Sequence, residues 1–469
     1  MKQKILLTII ALVLVVALAF SISSCIDSGT FNPTNNSVNS SSNNDIQNPD
    51  GTVTKDPIDY TNTLLIVDAL FKSYSMFDVD YETAMLSAIR AYVGATGDKY
   101  AMFYTPEELE ALFSENNGDL YGIGVQVIFD YDEHFMEIVL IMPDSPAQEK
   151  LAIGDKVTHI IIDGNEIALA DLVAENVIKA KEIYPTYTEE ELNNVACYET
   201  FQYTVSKLKG PEGTFAEFII DRDGTSLNMK IQRAKVKTVS VTSKTSIKDP
   251  TVGIVTISQF DLTTPVQFKE CMNSLIDMGC NKFIFDVRNN PGGDLASVTA
   301  VLSTLLKKND VIVSTKDNQG VTTVTKVKLV NYGTNSEYST CNVTADDIGK
   351  YNGYEMVVLA NENSASAAEL FTAALRDHQL AKIVGVNTYG KGSVQSIIDL
   401  TYYGDQYFGG LKLTTKLYFP PCGEGYDGGI GIAPDYPTEL EGIAAETHFY
   451  KLTEEIDNQL QKAVSLLIE

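Results

Sequence analysis

Three segments far apart in the chain hold residue types that could do chemistry together. They are Asn289-Asn290-Pro291-Gly292-Gly293, Ser364-Ala365-Ser366-Ala367-Ala368-Glu369 and Tyr389-Gly390-Lys391-Gly392-Ser393-Val394-Gln395. A serine hydroxyl is a poor nucleophile until a base takes its proton. Histidine, the commonest such base, is scarce, occurring only at 134, 159, 378 and 448. A lysine can do the same work only when neutral. Its pKa must then fall from about 10.4 to about 7–8, an unfavourable charging of roughly 3–5 kcal/mol at about 1.36 kcal/mol per unit. Desolvation can supply this, and glycines on both sides of Lys391 would let backbone press close. Ser366 stands just before a predicted helix, whose free amides and positive dipole end suit a developing oxyanion. The Ala367 amide and one from Gly292 or Gly293 are the natural donors. Gln395, four residues after Lys391, could orient the lysine without adding charge.

Taken singly, each segment has an ordinary explanation. A Ser/Ala turn before a helix is usually a cap. A lysine between glycines is usually a solvated turn residue, and N-x-P-G-G is usually a tight turn. Only their joint placement carries weight, and that depends on the elements around them. From about Val236 the chain alternates apolar strands with helices: strands at 283–287, 356–360 and 383–386, helices at 295–306 and 367–376. This alternation predicts parallel βαβ units. Right-handed crossovers make the strands run the same way, so all three segments emerge at the carboxyl edge of the sheet, where open α/β sheets gather ligands.

Upstream, Tyr60 to about Asn117 reads as helical, with Leu64, Leu65, Val67, Leu70 and Phe71 in helical spacing. Thr105-Pro106-Glu107-Glu108 is a helix start. Residues 118–235 read as short strands at 125–128, 135–142, 157–162 and 216–221. A mainly helical insertion is expected over about 171–200, with strands resuming around Tyr203. Residues 452–468 read as a closing amphipathic helix. The terminal helices could mediate a homodimer, although amphipathic faces usually pack on their own core.

The chain has 469 residues, 44% hydrophobic and 21% charged, which predicts two or three globular domains. A formal net charge of −27 disfavours phosphate backbones, so no nucleic-acid partner is expected. Six scattered cysteines form no C-x-x-C pair and no zinc spacing. Lys2 and Lys4 precede an apolar run, Ile5 to Phe20, as in an export signal or a membrane anchor. The run ends in Ile22-Ser23-Ser24-Cys25, similar to a bacterial lipoprotein signal in which Cys25 is lipidated. An uncleaved anchor and plain secretion are the alternatives. Residues 26–57, rich in Asn, Ser, Asp and Thr, read as a disordered linker. The expected location is the outer face of the bacterial cytoplasmic membrane.

Together the segments F-D-V-R-N-N-P-G-G, S-A-S-A-A-E and Y-G-K-G-S-V-Q, with G-I-A-P-D at 431–435, resemble the carboxy-terminal processing peptidases, also called tail-specific proteases. The resemblance runs from about Tyr60 to the C-terminus. It implies an α/β multidomain protein with a crotonase-like core over 236–448, a mostly β PDZ domain over 118–235, a helical segment over 58–117 and a C-terminal helix over 449–469. It implies Ser366 as nucleophile, Lys391 as base and Gln395 as the lysine-orienting residue. The PDZ match is Tyr121-Gly122-Ile123-Gly124 as carboxylate-binding loop, then Ser145-Pro146-Ala147, Ile153-Gly154-Asp155-Lys156-Val157 and Asp163-Gly164. Such a loop could hold a peptide carboxylate while an open strand edge adds the peptide. No metal or organic cofactor is implied, and the implied partners are proteins with free C-terminal tails. The sequence departs from the family at Ala368 and Cys422, where the family tends to carry serine, and in the insertion at 171–200. Two other readings remain open on the residues alone. One is a catalytically silent PDZ scaffold, which has no need of Ser366, Lys391 and Gln395 together. The other is an acyl-CoA enzyme on a similar core, which an export signal disfavours.

Overall fold

The computed structural model describes residues 46–47, 53–54, 60–78, 80–116, 119–329, 343–400 and 409–469. The leader, Cys25 and most of the linker lie outside these residues. Residues 46–47 and 53–54, inside that linker, form a short antiparallel pair that composition did not suggest. Among the described residues no helix is long and apolar enough to cross a membrane.

The chain divides into two compact units, residues 1–103 and 104–469. The first holds helices α1 (Tyr60–Tyr74) and α2 (Tyr81–Gly94), the latter capped by Asp80, whose carboxylate accepts from the Thr83 N–H. A short strand, Met102–Tyr104, interrupts the stretch expected to be helical.

The second unit opens with α3 (Pro106–Asn116). Thr105 and Glu108 exchange the reciprocal bonds of a capping box, the start that Thr-Pro-Glu-Glu predicts. A mostly β region follows. It contains β1 (Asp119–Gly122), β2 (Val125–Asp130), β3 (Phe135–Ile141), β4 (Lys156–Ile162), β5 (Asn165–Ala168), helices α4 (Leu169–Ile183) and α5 (Glu189–Leu208), then β6 (Phe215–Arg222), β7 (Thr225–Gln232) and β8 (Ala234–Lys237). The sheet order is β7-β6-β4-β3-β2, which leaves β2 at an edge, and β1 pairs with β8 at the neck of the region. The sequence placed a strand near Tyr203; that residue lies inside α5 instead. A capping box at Thr188 and Glu191 starts this helix. Ala196, Cys197 and Leu208 are buried in the core of the region, with Phe201 and Val205 packed against it. Packing outweighs the strand preference of Tyr203, Thr204 and Val205.

The larger part is built on β9 (Val241–Thr245), β10 (Val252–Ile257), β11 (Lys282–Asp286), β14 (Glu355–Ala360), β15 (Ala381–Gly385) and β18 (Tyr436–Pro437), in that spatial order. Between β11 and β14 the chain forms β12 (Val311–Asp317) and β13 (Thr322–Lys326). Helices α6 (Thr264–Asp277), α7 (Leu295–Leu305) and α8 (Ala367–Asp377) supply the crossovers. All pairings from β10 to β18 are parallel, as the alternation predicts. Both faces are covered. Phe283 and Phe285 of β11 join the core with Phe268 of α6 and Phe371 of α8, while Ile284 joins Leu460, Val464 and Leu467 of α9 (Asn458–Ile468). Burial on two faces explains why these strands read as continuous apolar runs. The closing helix begins at Asn458 rather than Leu452, because the Asp457 carboxylate accepts from the Leu460 N–H and caps it there. A second, antiparallel sheet joins β12 and β13 to β16 (Ser393–Asp399) and β17 (Gly410–Phe419).

Candidate active site

The loops after β11, β14 and β15 leave the same edge of the parallel sheet, and side chains lace them together. Asn289 adopts φ 58°, and its amide oxygen accepts from Asn361 and Asn363 of the second loop at 2.9 and 2.8 Å. The Ser364 hydroxyl donates to the Val287 carbonyl at 2.7 Å, and the Ala365 N–H donates to the Asn290 carbonyl at 2.9 Å. The Gly292 Cα presses onto the serine turn: a Cβ there would lie 2.8 Å from Ser366 Cβ and 3.0 Å from Ala367 N. Only glycine permits that approach.

Ser366 precedes α8 with φ 54° and ψ −112°. An ordinary N-cap residue is extended. A serine held at positive φ stores strain of about 1–3 kcal/mol, which persists only where the surroundings impose it. Glu369 imposes it here. Its side chain is fully buried, and its two oxygens collect four donors. One oxygen accepts from the Thr388 hydroxyl and the Gly390 N–H, each at 2.6 Å. The other accepts from the Ser366 N–H and the Lys391 N–H, each at 2.8 Å. The backbones of Ser366 and Lys391 therefore converge on a single oxygen atom. Burial pushes the Glu369 carboxyl above its ordinary range, against the four hydrogen bonds, which favour the anion.

The amides expected to serve as oxyanion donors separate on geometry. The Gly292 N–H is committed to the Asn290 side-chain oxygen at 2.8 Å. The Gly292 carbonyl accepts from the Phe260 N–H at 2.8 Å, so the Gly293 N–H, on the far side of that trans peptide, points away from Phe260. Neither the Gly293 nor the Ala367 amide has a hydrogen-bond partner among the described residues. Asp294, which follows, caps α7 through the Ser297 N–H, and burial raises its carboxyl.

Gln395 follows a register shift in β16, at Val394/Gln395. Its amide nitrogen donates to the Ser393 and Thr414 hydroxyls at 3.1 and 3.2 Å, which leaves its carbonyl end as an acceptor. The sequence segments include Glu369 and Asn289 without assigning either a role, and they leave out Asn361 and Thr388. Glu369 had a local signal, since S-x-x-E ahead of a helix is a capping-box pattern. The asparagines and Thr388 act across the fold and had none. No group of acidic, histidine or cysteine side chains that could hold a metal ion occurs among the described residues.

Residues 251–438, which contain all three loops, match the sequence model of peptidase family S41. A "Probable CtpA-like serine protease" of Staphylococcus haemolyticus is 28% identical over 349 residues, covering 74% of this chain and 59% of the relative. A "Carboxyl-terminal-processing protease" of Picosynechococcus is 25% identical over 385 residues, covering 81% of this chain and 78% of the relative. This chain thus spans about three fifths of the staphylococcal relative's length. A solved photosystem II D1 C-terminal processing protease aligns over 82% of this chain and 89% of its own, at 20% identity and a TM-score of 0.42. Residues 251–438 are thus similar to peptidase family S41, and the chain as a whole is similar to carboxyl-terminal-processing proteases, the resemblance its motifs carry.

Proposed function

We propose that this chain is a serine endopeptidase in which Ser366 is the nucleophile and Lys391 the general base. The observation that carries the reading is the strained Ser366 turn, bound with the Lys391 backbone to one oxygen of Glu369. Neutral Lys391 takes the hydroxyl proton as Ser366 Oγ attacks the scissile carbonyl. The oxyanion accepts from the Gly293 and Ala367 amides at the start of α8. The lysine then returns the proton to the leaving amine, and water hydrolyses the acyl-enzyme by the same route. Gln395, with its amide nitrogen held by Ser393 and Thr414, orients the lysine through its carbonyl oxygen.

Substrates in this reading are exported proteins with apolar or unstructured C-terminal tails, captured by residues 118–235 acting as a PDZ domain. Three features support it. β2 lies at an open edge. Phe201 of α5 meets Phe129 of β2 edge-on at 6.3 Å, so the helix flanks that edge. The Ile123 and Gly124 carbonyls accept from the Ala147 and Met142 N–H groups at 3.0 Å, which turns the next amides outward toward a carboxylate. Export, tethering through a lipidated Cys25 and a dimer through the terminal helices belong to the same proposal.

The test uses soluble protein beginning after Cys25 and a loosely folded substrate with an apolar tail. Ser366→Ala and Lys391→Ala should each lower cleavage by roughly four orders of magnitude at equal folded content. Activity should fall as pH drops and Lys391 becomes protonated, because only the neutral amine accepts a proton. Cleavage by all three proteins alike would overturn the assignment. Tail binding without cleavage by the unmodified protein would favour a scaffold.

A further inference from the structure

Every peptide group around Lys391 is held, and two different parts of the molecule do the holding. From within, Glu369 takes the Gly390 and Lys391 N–H groups. From without, the loop following β17 lies directly on the lysine loop. Its Asp427 carboxylate accepts from the Gly392 N–H at 2.8 Å, and its Gly429 N–H donates to the Gly390 carbonyl at 3.1 Å. The Gly392 carbonyl is taken by the Tyr418 N–H at 2.7 Å. The approach is close: a Cβ on Gly390 would stand 2.5 Å from Gly429 Cα, and one on Gly392 would stand 2.7 Å from the Asp427 N.

The outer loop is itself anchored at both ends. Tyr426 is buried in the main core, and the Ile432 N–H donates to the Thr388 hydroxyl at 2.7 Å. That hydroxyl in turn donates to Glu369. Residues 422–425 and 428–430 are exposed, so the side chain that reaches the lysine loop comes from an otherwise solvated stretch. Without the bond to Asp427, the Lys391–Gly392 peptide would lose the hold on its N–H, the next fixed point along the chain would be the Gly392 carbonyl, and the amine's distance from Ser366 would no longer be fixed.

We propose that Asp427 is a positioning residue for the Lys391 base, acting through the Gly392 N–H, so that a surface loop sets the reach of the lysine to Ser366. This rests on the Ser366–Lys391 reading. Two readouts test it, on the folded protein beginning after Cys25. The first is hydrogen exchange of the 387–395 peptide, which does not depend on turnover. Asp427→Ala should speed it, and Asp427→Asn, whose amide oxygen can still accept, should restore it. The second is steady-state cleavage. Asp427→Ala should lower kcat about ten- to a hundredfold with KM unchanged, the scale of a misplacement near 1 Å. Asp427→Asn should stay within about threefold of the unmodified enzyme. Unchanged exchange in Asp427→Ala overturns the proposal. So does unchanged kcat, an Asp427→Asn as impaired as Asp427→Ala, or a loss of activity no larger than the loss of folded protein. If instead Lys391→Ala or Ser366→Ala cleaves normally, the Ser–Lys reading fails, while the exchange result still reports on the clamp.

Discussion

At the scale of single residues, Glu369 does more than close a helix cap. Its four donors come from the serine turn and the lysine loop, so one carboxylate fixes the relation between two segments more than twenty residues apart. A glutamine in its place would present an NH₂ group to donors that need an acceptor. Glu369→Gln should therefore lower kcat about ten- to a hundredfold and cost about 1–3 kcal/mol of stability, read from steady-state cleavage and a denaturant titration. Wild-type values for both would show that the site holds its shape without this carboxylate.

Among elements, the closing helix and the strand that feeds the glycine loop share one buried charge cluster. The Arg288 guanidinium meets Asp286 at 2.6 Å and Asp457 at 2.8 Å, and its Nη1 donates to Gln459 at 2.9 Å. Arg288 directly precedes Asn289, and Asp457 caps α9, so the cluster ties the C-terminal helix to the base of the glycine loop. Removing the arginine leaves two carboxylates buried without their counter-charge. Arg288→Ala should destabilise the unit by about 3–5 kcal/mol, measured by chemical denaturation. A cost under about 1 kcal/mol would mean that water reaches the cluster freely.

For the whole molecule, pH should act unevenly. In the β region, burial raises the Asp155 carboxyl, but bonds from Arg222 at 2.7 Å and from the Ala152 N–H overcome this and hold it below its ordinary value. A depressed acid contributes stability that is present above the unfolded carboxylate pKa, near 4, and is lost as pH falls through the folded value. Residues 119–237 should thus lose exchange protection on acidification below about pH 4, and Arg222→Ala should remove that part of the pH dependence. Glu369 has the opposite sign, since burial raises it. Its contribution is full below the unfolded value and is lost as pH rises through the folded one. The loops around Ser366 should accordingly resist mild acid better than the β region. Equal protection loss in both would contradict this.

The sequence by itself determined the parallel alternation of strands and helices, the edge at which three loops meet and the residue types offered there. Those features follow from local periodicity, from buried strands read as apolar runs and from helix-start chemistry such as Thr105 and Thr188, all of which act over a few residues. Where local preference met packing it misled: Tyr203 belongs to a helix because its neighbours fill a core, and α9 starts late because Asp457, held by Arg288, caps it through the Leu460 N–H. Only the tertiary structure decided that Ser366 sits at positive φ, that Gly292 spends its amide on Asn290, and that Glu369 and Asp427 grip the lysine loop from opposite sides. These bonds join residues whose separation in sequence follows no period, so their partners exist only once the sheet has brought the loops to one edge.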